Sequence, residues 1–265
     1  MNALSKQSTA MIAGIALLLF LIELPAQAAI IYSSDFNSAT PGQALSTSPL
    51  NWSADTGVIR VGTTQHPGWN GNAIDGSLTS PGGSGYAQAT IALPAMPTTG
   101  TFALTFDAWA YSQYYDGGAL WLNTATSNSD LLVQAWVNWQ YSGWNIYGYS
   151  PFTGNGWQTY DLSHAMQDTT VHVGLFVNYN NNTYWGTFND GVNSIKSPVF
   201  NFVGSQQFTS LSIFEDQRWG SHGMDIANIQ ISSATPIPAA LFFVAPALMG
   251  VFGFSCRKTS NDIQT

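Results

Sequence analysis

The chain has 265 residues, of which 45% are hydrophobic and only 8% are charged, and its formal net charge is −8. Because an average soluble domain carries about 25% charged residues, the polar surface here must be built from Asn, Gln, Ser, Thr and Gly. Between the two apolar ends, three basic residues stand against twelve acidic ones. Phosphate binding needs clustered Lys and Arg, so the composition argues against nucleic acid and anionic lipid headgroups as partners.

Residues 1–28 are predicted to be a secretory signal peptide. Lys6 supplies the positive start, residues 11–22 form the apolar segment, and Ala26 and Ala28 form a small-x-small cleavage site, so we expect cleavage after Ala28. The alternative is a retained signal anchor, which the helix-breaking proline before the cleavage site disfavours.

Residues 29–233 are predicted to form an all-β ectodomain, because apolar and polar side chains alternate with a period of two. One segment places Phe102, Leu104, Phe106 and Ala108 at every second position, and similar segments lie at 131–137 and 171–177. Gly-rich and Asn-rich turns separate about ten to twelve such strands. The pattern predicts a two-sheet jelly-roll β-sandwich, with a barrel as the alternative.

Four segments strengthen this interpretation by resemblance. They are Asp35-Phe36-Asn37, the Gly-Asn-Ala-Ile-Asp-Gly run at 71–76, the strand at 101–107 and the closing strand at 225–231. In this order they resemble jelly-roll domains of exported bacterial proteins, such as carbohydrate-binding modules and laminin-G/concanavalin A-like domains. The resemblance covers roughly half of the ectodomain and implies a fold more than a function.

Aromatic residues are concentrated between positions 136 and 160, with Asn and Gln among them. A sugar has flat apolar C–H faces and hydroxyl edges, so a Trp or Tyr ring beside an amide is the chemistry expected of a neutral glycan site. Trp136 is the first candidate, because it is out of phase with Val133 and Val137 on its strand. The further candidates are Trp139, Tyr141, Trp144, Trp157, Tyr114 and Trp185. The alternative is that these rings fill the core and its loops.

No catalytic residues are predicted. After the signal peptide the chain contains a single Glu, Glu215, so it lacks the Glu-x-Asp-x-x-Glu motif that concanavalin A-like glycosidases of the laminarinase type carry. It also lacks a Gly-x-Ser-x-Gly elbow, and its four His residues do not have the spacing of zinc ligands. We therefore expect a protein that is not an enzyme.

A structural calcium ion is the one cofactor that the sequence suggests. The first and last strands are neighbours in many jelly rolls, so Asp35 and Asp225 could both offer the oxygen ligands that calcium takes. The alternative is that both carboxylates serve turns or strand ends through hydrogen bonds to the backbone.

Residues 237–256 are predicted to be a transmembrane helix. They carry no charge, and about 20 helical residues at about 1.5 Å each reach across the ~30 Å hydrocarbon core. Arg257 and Lys258 follow at once and mark the cytoplasmic side, which makes 259–265 a cytoplasmic tail. Cys256 is the only cysteine, so no intrachain disulfide can form. The alternative is a buried C-terminal helix or strand.

Residues 234–258 closely resemble the PEP-CTERM sorting signal, in the subtype that reads Val-Pro-x-Pro-Ala-Ala. The matching residues are Pro236, Pro238, Ala239 and Ala240, followed by the apolar segment, Arg257 and Lys258. The chain departs from the subtype at Thr235, which replaces Val. The resemblance implies that the partner is an exosortase, a membrane protease-transpeptidase of Gram-negative bacteria that make exopolysaccharide, and that processing occurs near the two prolines.

These features predict a non-enzymatic exported protein of the envelope or the biofilm matrix, with a structural or adhesive β-sandwich. It would be anchored by the C-terminal helix, or released to the cell surface after processing. The alternative is a carbohydrate-binding module for a neutral exopolysaccharide. The two differ in one respect, because a binding module needs exposed aromatic faces and a structural domain would bury them.

Overall fold

The computed structural model describes the central part of the chain, with gaps in several loops. The described residues are 28–63, 66–67, 69, 71–83, 85–111, 117–125, 131–137, 142–148, 153–154, 158–163, 166–203, 207–218 and 223–234. Only the backbone is described at 132, 134–137, 142, 159, 161–163 and 234. Residues Ala29–Ala234 form one compact unit.

The described residues form sixteen β-strands and one short 3-10 helix, Gly76–Leu78. The strands are β1 (Ile30–Ser34), β2 (Ser53–Thr56), β3 (Val61–Gly62), β4 (Ala73–Ile74), β5 (Tyr86–Ala92), β6 (Thr101–Trp109), β7 (Gly117–Thr124), β8 (Leu131–Val137), β9 (Ser142–Gly148), β10 (Gln158–Ser163), β11 (Thr170–Asn178), β12 (Thr183–Asn189), β13 (Ser194–Lys196), β14 (Phe200–Asn201), β15 (Phe208–Asp216) and β16 (Asp225–Ala234).

Two antiparallel sheets contain all of these strands. The nine-stranded sheet has the order β13-β12-β11-β6-β16-β4-β3, with β1 beside β16 and β14 beside β12. The seven-stranded sheet has the order β10-β9-β8-β7-β15-β5-β2. The predicted all-β, two-sheet jelly-roll sandwich is therefore confirmed, and the strand number exceeds the expected ten to twelve because several strands have only two or three residues.

The core lies between the sheets and follows the alternation in the sequence. In β6, the inward residues Phe102, Leu104 and Phe106 are at most 2% exposed, and in β11 Val171 and Leu175 are fully buried. Successive side chains of a strand point to opposite faces, so the residues between them must lie on the outer face of the sheet. The same alternation therefore builds both the core and the two outer surfaces.

The first and last strands of the sandwich are neighbours, as expected for a jelly roll. β1 pairs with β16, with Ser34 opposite Ile229, and the backbone N–H of Ser233 donates to the Ala29 carbonyl at 2.9 Å. Within the described residues, no helix is long and apolar enough to cross a membrane. The predicted transmembrane helix at 237–256, the sorting signal and most of the signal peptide lie outside the described residues.

Candidate functional site

A groove of about 450 Å³ crosses the outer face of the nine-stranded sheet. Four adjacent strands, β12, β11, β6 and β16, form its floor. Their outward positions carry amide, hydroxyl, imidazole, carboxylate and aromatic side chains. The lining residues are Thr105, Phe106, Asp107, His172, Val173, Gly174, Phe176, Thr187, Asn189, Asn228 and Gln230.

Two stacked aromatic rings adjoin this groove, of which Phe176 is a lining residue and Trp185 is its stacking partner. Phe176 on β11 and Trp185 on β12 are cross-strand partners, and their ring centroids lie 5.2 Å apart with an interplanar angle of 7°. Both side chains are half-buried, so each pair member keeps part of its ring at the surface. The Lys196 ammonium lies 5.1 Å from the centre of the Trp185 ring, in the geometry of a cation–π contact.

Gly174 leaves the space in which the Phe176 ring lies. A Cβ atom at position 174 would come within 2.7 Å of the Thr187 hydroxyl oxygen and within 2.9 Å of the Phe176 ring. Glycine in the middle of a strand costs stability, because it has no side chain to pack. Its presence here is therefore explained by the Phe176 ring and the Thr187 hydroxyl, which occupy the space that a side chain would take.

The polar end of the groove is organised by Asp107. Its carboxylate is in contact with the Nδ1 atom of His172, and it accepts a hydrogen bond from Asn228 Nδ2 at 2.6 Å. Asn228 sits at an irregularity in the pairing of β16 with β6, with φ of 53°, a left-handed conformation that Asn tolerates better than most residues. This irregularity places the amide of Asn228 beside the carboxylate.

The arrangement suits a ligand that is apolar on its face and polar along its edge. The aromatic pair offers a ring surface. The amides of Asn228 and Gln230, two or three strands away, and of Asn189, on the same strand as Trp185, offer both donors and acceptors. The groove holds one carboxylate, which is already paired with His172 and Asn228, so it presents little free charge. A neutral sugar has the matching chemistry.

The structure brings one predicted glycan residue next to this groove and buries another. Trp185 forms the aromatic pair described above. Trp144 is a correction, because its side chain is fully buried and its indole Nε1–H donates to the Met166 carbonyl at 3.1 Å. It lies on the same side of β9 as Ile146, which is also fully buried, so its ring fills the core and is not a surface platform.

The remaining aromatic candidates are not tested by the described side chains. Trp136 lies in β8, where its backbone pairs with Gly117 and Gly143, but its side chain is outside the description. Tyr114, Trp139, Tyr141 and Trp157 lie outside the described residues. Their role in glycan binding therefore stays a prediction.

The two predicted calcium ligands do not come together. Asp35 follows β1 directly, where it accepts hydrogen bonds from the Asn37 backbone N–H at 3.0 Å and from its amide at 3.1 Å. Asp225 is fully buried at the start of β16, four residues away from the Ile229 that faces the end of β1. The described residues contain no group of three or more His, Cys, Asp or Glu that could hold a metal ion. The pair therefore does not fit a shared calcium ion.

Asp225 instead binds protein donors with both of its oxygens. Oδ1 accepts the Gly76 backbone N–H at 2.8 Å, and Oδ2 accepts the Tyr111 hydroxyl at 2.7 Å and lies 2.7 Å from His66 Nε2. The His66 ring stacks on Trp109, with centroids 4.1 Å apart and an angle of 5°. This satisfied network is the structural role that the sequence left open as the alternative to calcium.

Most of the groove was missed by sequence reasoning. Asp107, Asn189, Asn228 and Gln230 are isolated polar residues in three separate strands, β6, β12 and β16, and nothing in their spacing joins them. Their outward phase was readable, because each alternates with buried neighbours. The sequence did not indicate the order of the strands, which brings residues more than 100 positions apart onto one surface.

No protein-family model matches the chain, and no curated protein matches it in sequence. Solved structures do match. The globular domain of T. cruzi calreticulin matches with a TM-score of 0.56 and 10% identity, over 86% of this chain and 95% of that domain. The lectin UEA-II, solved in complex with galactose, matches with a TM-score of 0.52 and 10% identity, over 78% of this chain and 100% of the lectin.

A sialidase also matches, with a TM-score of 0.50 and 12% identity, over 79% of this chain. The matched region is 19% of the sialidase chain, so this chain spans a small part of that protein. At such low identity a likeness establishes the fold and no activity. The residues Ala29–Ala234 have the two-sheet fold that is shared by lectins and the calreticulin globular domain.

Proposed function

We propose that the sandwich binds a neutral polysaccharide through the groove on its nine-stranded sheet, and that the protein acts as an adhesive component of the cell envelope or matrix. The observation that carries this proposal is the pairing of a half-exposed aromatic stack, Phe176 and Trp185, with amide and hydroxyl side chains across four strands. The lectin-like fold supports it at the level of architecture.

Charge favours a neutral ligand over an acidic one. Twelve acidic and three basic residues in the region 29–234 would repel a uronic-acid or sulfated chain, and the groove itself contains one paired carboxylate. The only cation near the groove among the described residues is Lys196, and its ammonium is placed over the Trp185 ring. Recognition would then depend on ring stacking and hydrogen bonds.

The test is binding by the full chain, purified in a detergent without a sugar headgroup, so that the detergent does not compete. Native gels that contain laminarin, dextran or galactomannan report binding as slower migration. We expect retardation by at least one of these, and weaker retardation of Trp185→Ala. The matched control is Val192→Ala, which removes a side chain that is 90% exposed and outside the groove. Equal retardation of Trp185→Ala and the wild type would contradict this site.

The second part of the proposal is the location of the protein. It rests on the signal-peptide pattern at 1–28 and on the tail at 234–258, which resembles an exosortase signal. We propose that the protein is exported, held in the membrane by the helix at 237–256, and released by exosortase processing near Pro236 and Pro238. A tethered sugar-binding sandwich would attach extracellular polysaccharide to the cell until the tail is cleaved.

A truncation after Ala234 tests the tail, because it keeps the whole of β16, which pairs with β6 as far as Ala234 and Thr101. We expect this variant to be exported and recovered in the soluble fraction, and the full chain to be recovered with membranes. If the truncated protein stayed with the membranes, the tail would not be its anchor. Replacement of Pro236 and Pro238 by Ala should block processing without blocking export.

A further inference from the structure

The outer face of the seven-stranded sheet carries a second groove, which the proposed function does not use. It has a volume of about 350 Å³ and crosses the adjacent strands β2, β5, β15 and β7. Its lining consists of four hydroxyl side chains, two amides and one carboxylate. Since the two sheets pack against each other through their inner faces, the two grooves open in opposite directions.

A row of hydrogen-bonded side chains runs across this second groove. The Asp55 carboxylate accepts the Thr90 hydroxyl at 2.5 Å, and the hydroxyls of Thr90 and Ser212 lie 2.7 Å apart. The Asn123 amide donates to Ser212 Oγ at 2.8 Å and to Ser210 Oγ at 3.2 Å. The row therefore joins all four strands, and it holds hydroxyl and amide groups in fixed positions along the floor.

One member of the row has an open hydrogen-bonding position. Asn123 is 2% exposed, and its Oδ1 atom has no hydrogen-bond partner among the described residues. A buried acceptor without a partner costs about 1–3 kcal/mol, so such atoms are uncommon in native structures unless a ligand or a water completes them. In a groove lined by hydroxyls, a hydroxyl-bearing ligand is the natural donor.

An aromatic row lies beside the polar row on the same face. The rings of Trp121 and Phe214 stack, with centroids 5.1 Å apart and an angle of 14°, and Tyr86 lies 5.2 Å from Phe214. Phe214 and Trp121 are two residues along their strands from Ser212 and Asn123, which corresponds to about 7 Å. A sugar unit can therefore stack on this row while its hydroxyls reach the polar row.

We propose that this face is a second binding groove for neutral polysaccharide, and that one molecule bridges two polysaccharide chains. Because the grooves lie on opposite outer faces of the sandwich, a chain in one groove leaves the other free for a different chain. The bridging step rests on the proposed function of the first groove, whereas binding at the second groove does not.

The binding test uses full-chain variants in the native gels described above, with laminarin, dextran or galactomannan. Trp185→Ala removes the first aromatic pair and Trp121→Ala removes the second, while Val192→Ala is the control. We expect each single variant to bind about tenfold more weakly and the double variant to lose retardation altogether. Gln88→Ala, which changes a half-buried groove residue outside the core, serves as a second probe if Trp121→Ala proves unstable in thermal melts.

The possible outcomes separate the two proposals. If Trp185→Ala alone abolishes retardation and both Trp121→Ala and Gln88→Ala behave as the wild type, the second groove is refuted and the first stands. If Trp121→Ala abolishes retardation and Trp185→Ala behaves as the wild type, the second groove stands. The first groove is then refuted, and so is bridging. If the wild type is retarded by none of the three polysaccharides, both proposals fail.

Bridging is tested with beads coated with the polysaccharide that retards the wild type. We expect the wild type to clump the beads, and each single variant to coat them without clumping. An equimolar mixture of the two variants contains both grooves, but on different molecules, so it should not clump the beads either. Clumping by the mixture would show that bridging comes from self-association of the protein, which overturns the bivalent arrangement.

Discussion

Glu215 accepts a hydrogen bond from the backbone N–H of Met224 at 2.7 Å, and its other carboxyl oxygen has no partner among the described residues. The side chain is fully buried at the inner face of β15. Burial, and then the nearby carboxylates of Asp225, Asp75 and Asp216, raise the pKa of Glu215 well above its usual value, although the Met224 bond opposes them. The folded protein therefore keeps the Glu215 proton to a higher pH than the unfolded chain does.

This protonation makes stability depend on pH. Above a pH of about 4.5 the unfolded chain releases the Glu215 proton while the folded chain keeps it, so the free energy of unfolding falls as the pH rises towards the raised pKa. Glu215→Gln keeps an acceptor for the Met224 N–H but has no proton to release. We expect the free energy of unfolding of this variant to fall less steeply with pH, by up to about 1.4 kcal/mol per pH unit. Urea unfolding of both proteins between pH 5 and 8 measures it. Parallel profiles would mean that Glu215 is charged in the folded state.

Gly174→Ala should weaken sugar binding without unfolding the sandwich. The added methyl group would press on the Phe176 ring and the Thr187 hydroxyl, so the ring must leave its stack on Trp185. We expect binding about tenfold weaker, because the aromatic pair supplies the face on which a sugar stacks. Native gels that contain the polysaccharide that retards the wild type measure this. Gly191→Ala is the matched glycine control, since that position has open space, although its φ of 86° will cost some stability.

Trp144→Ala should act on stability and leave binding at the grooves intact. Truncation of a fully buried Trp removes a large part of the core and costs about 3–5 kcal/mol. Trp144→Phe fills much of the space and loses the hydrogen bond to the Met166 carbonyl, at a cost of about 1–2 kcal/mol. Denaturant unfolding gives both values. Loss of sugar binding in Trp144→Phe with unchanged stability would restore this residue as a ligand contact.

Removal of divalent cations should leave both stability and binding unchanged. Asp35 and Asp225 are each satisfied by protein donors and do not converge on a shared position. We therefore expect the same melting temperature in EDTA and in millimolar calcium, and the same retardation in polysaccharide gels. A rise in melting temperature with added calcium would contradict this expectation.

Alternation in the sequence was sufficient to predict the sandwich, because the inward residues of β6 and β11 are apolar at every second position. The prediction for Trp144 was wrong because it rested on the clustering of aromatic residues along the chain and not on their phase within the strand. Trp144 and Ile146 share one phase and Asn145 and Tyr147 share the other, so the sequence contained the signal that Trp144 faces the core. The face of the strand on which a residue lies was therefore more informative than the number of aromatic residues near it in the sequence.

The groove could not be predicted to the same extent. Asp107 meets His172 because β6 pairs with β11, and it meets Asn228 because β6 also pairs with β16 at an irregular position. These pairings join segments that are 65 and 121 residues apart. Long-range strand order depends on the packing of the whole sandwich, and a local pattern of residue types does not encode it.

The position of β16 also determines how the sandwich responds to force. β16 lies between β6 and β1, and its hydrogen bonds to both neighbours run perpendicular to its axis. Tension applied at Ala234 along the strand loads these bonds in shear, so many must break at once rather than one after another. Under the proposed anchoring and polysaccharide binding, a pulled cell would lose the sugar contact before the domain unfolds, and the attachment could form again.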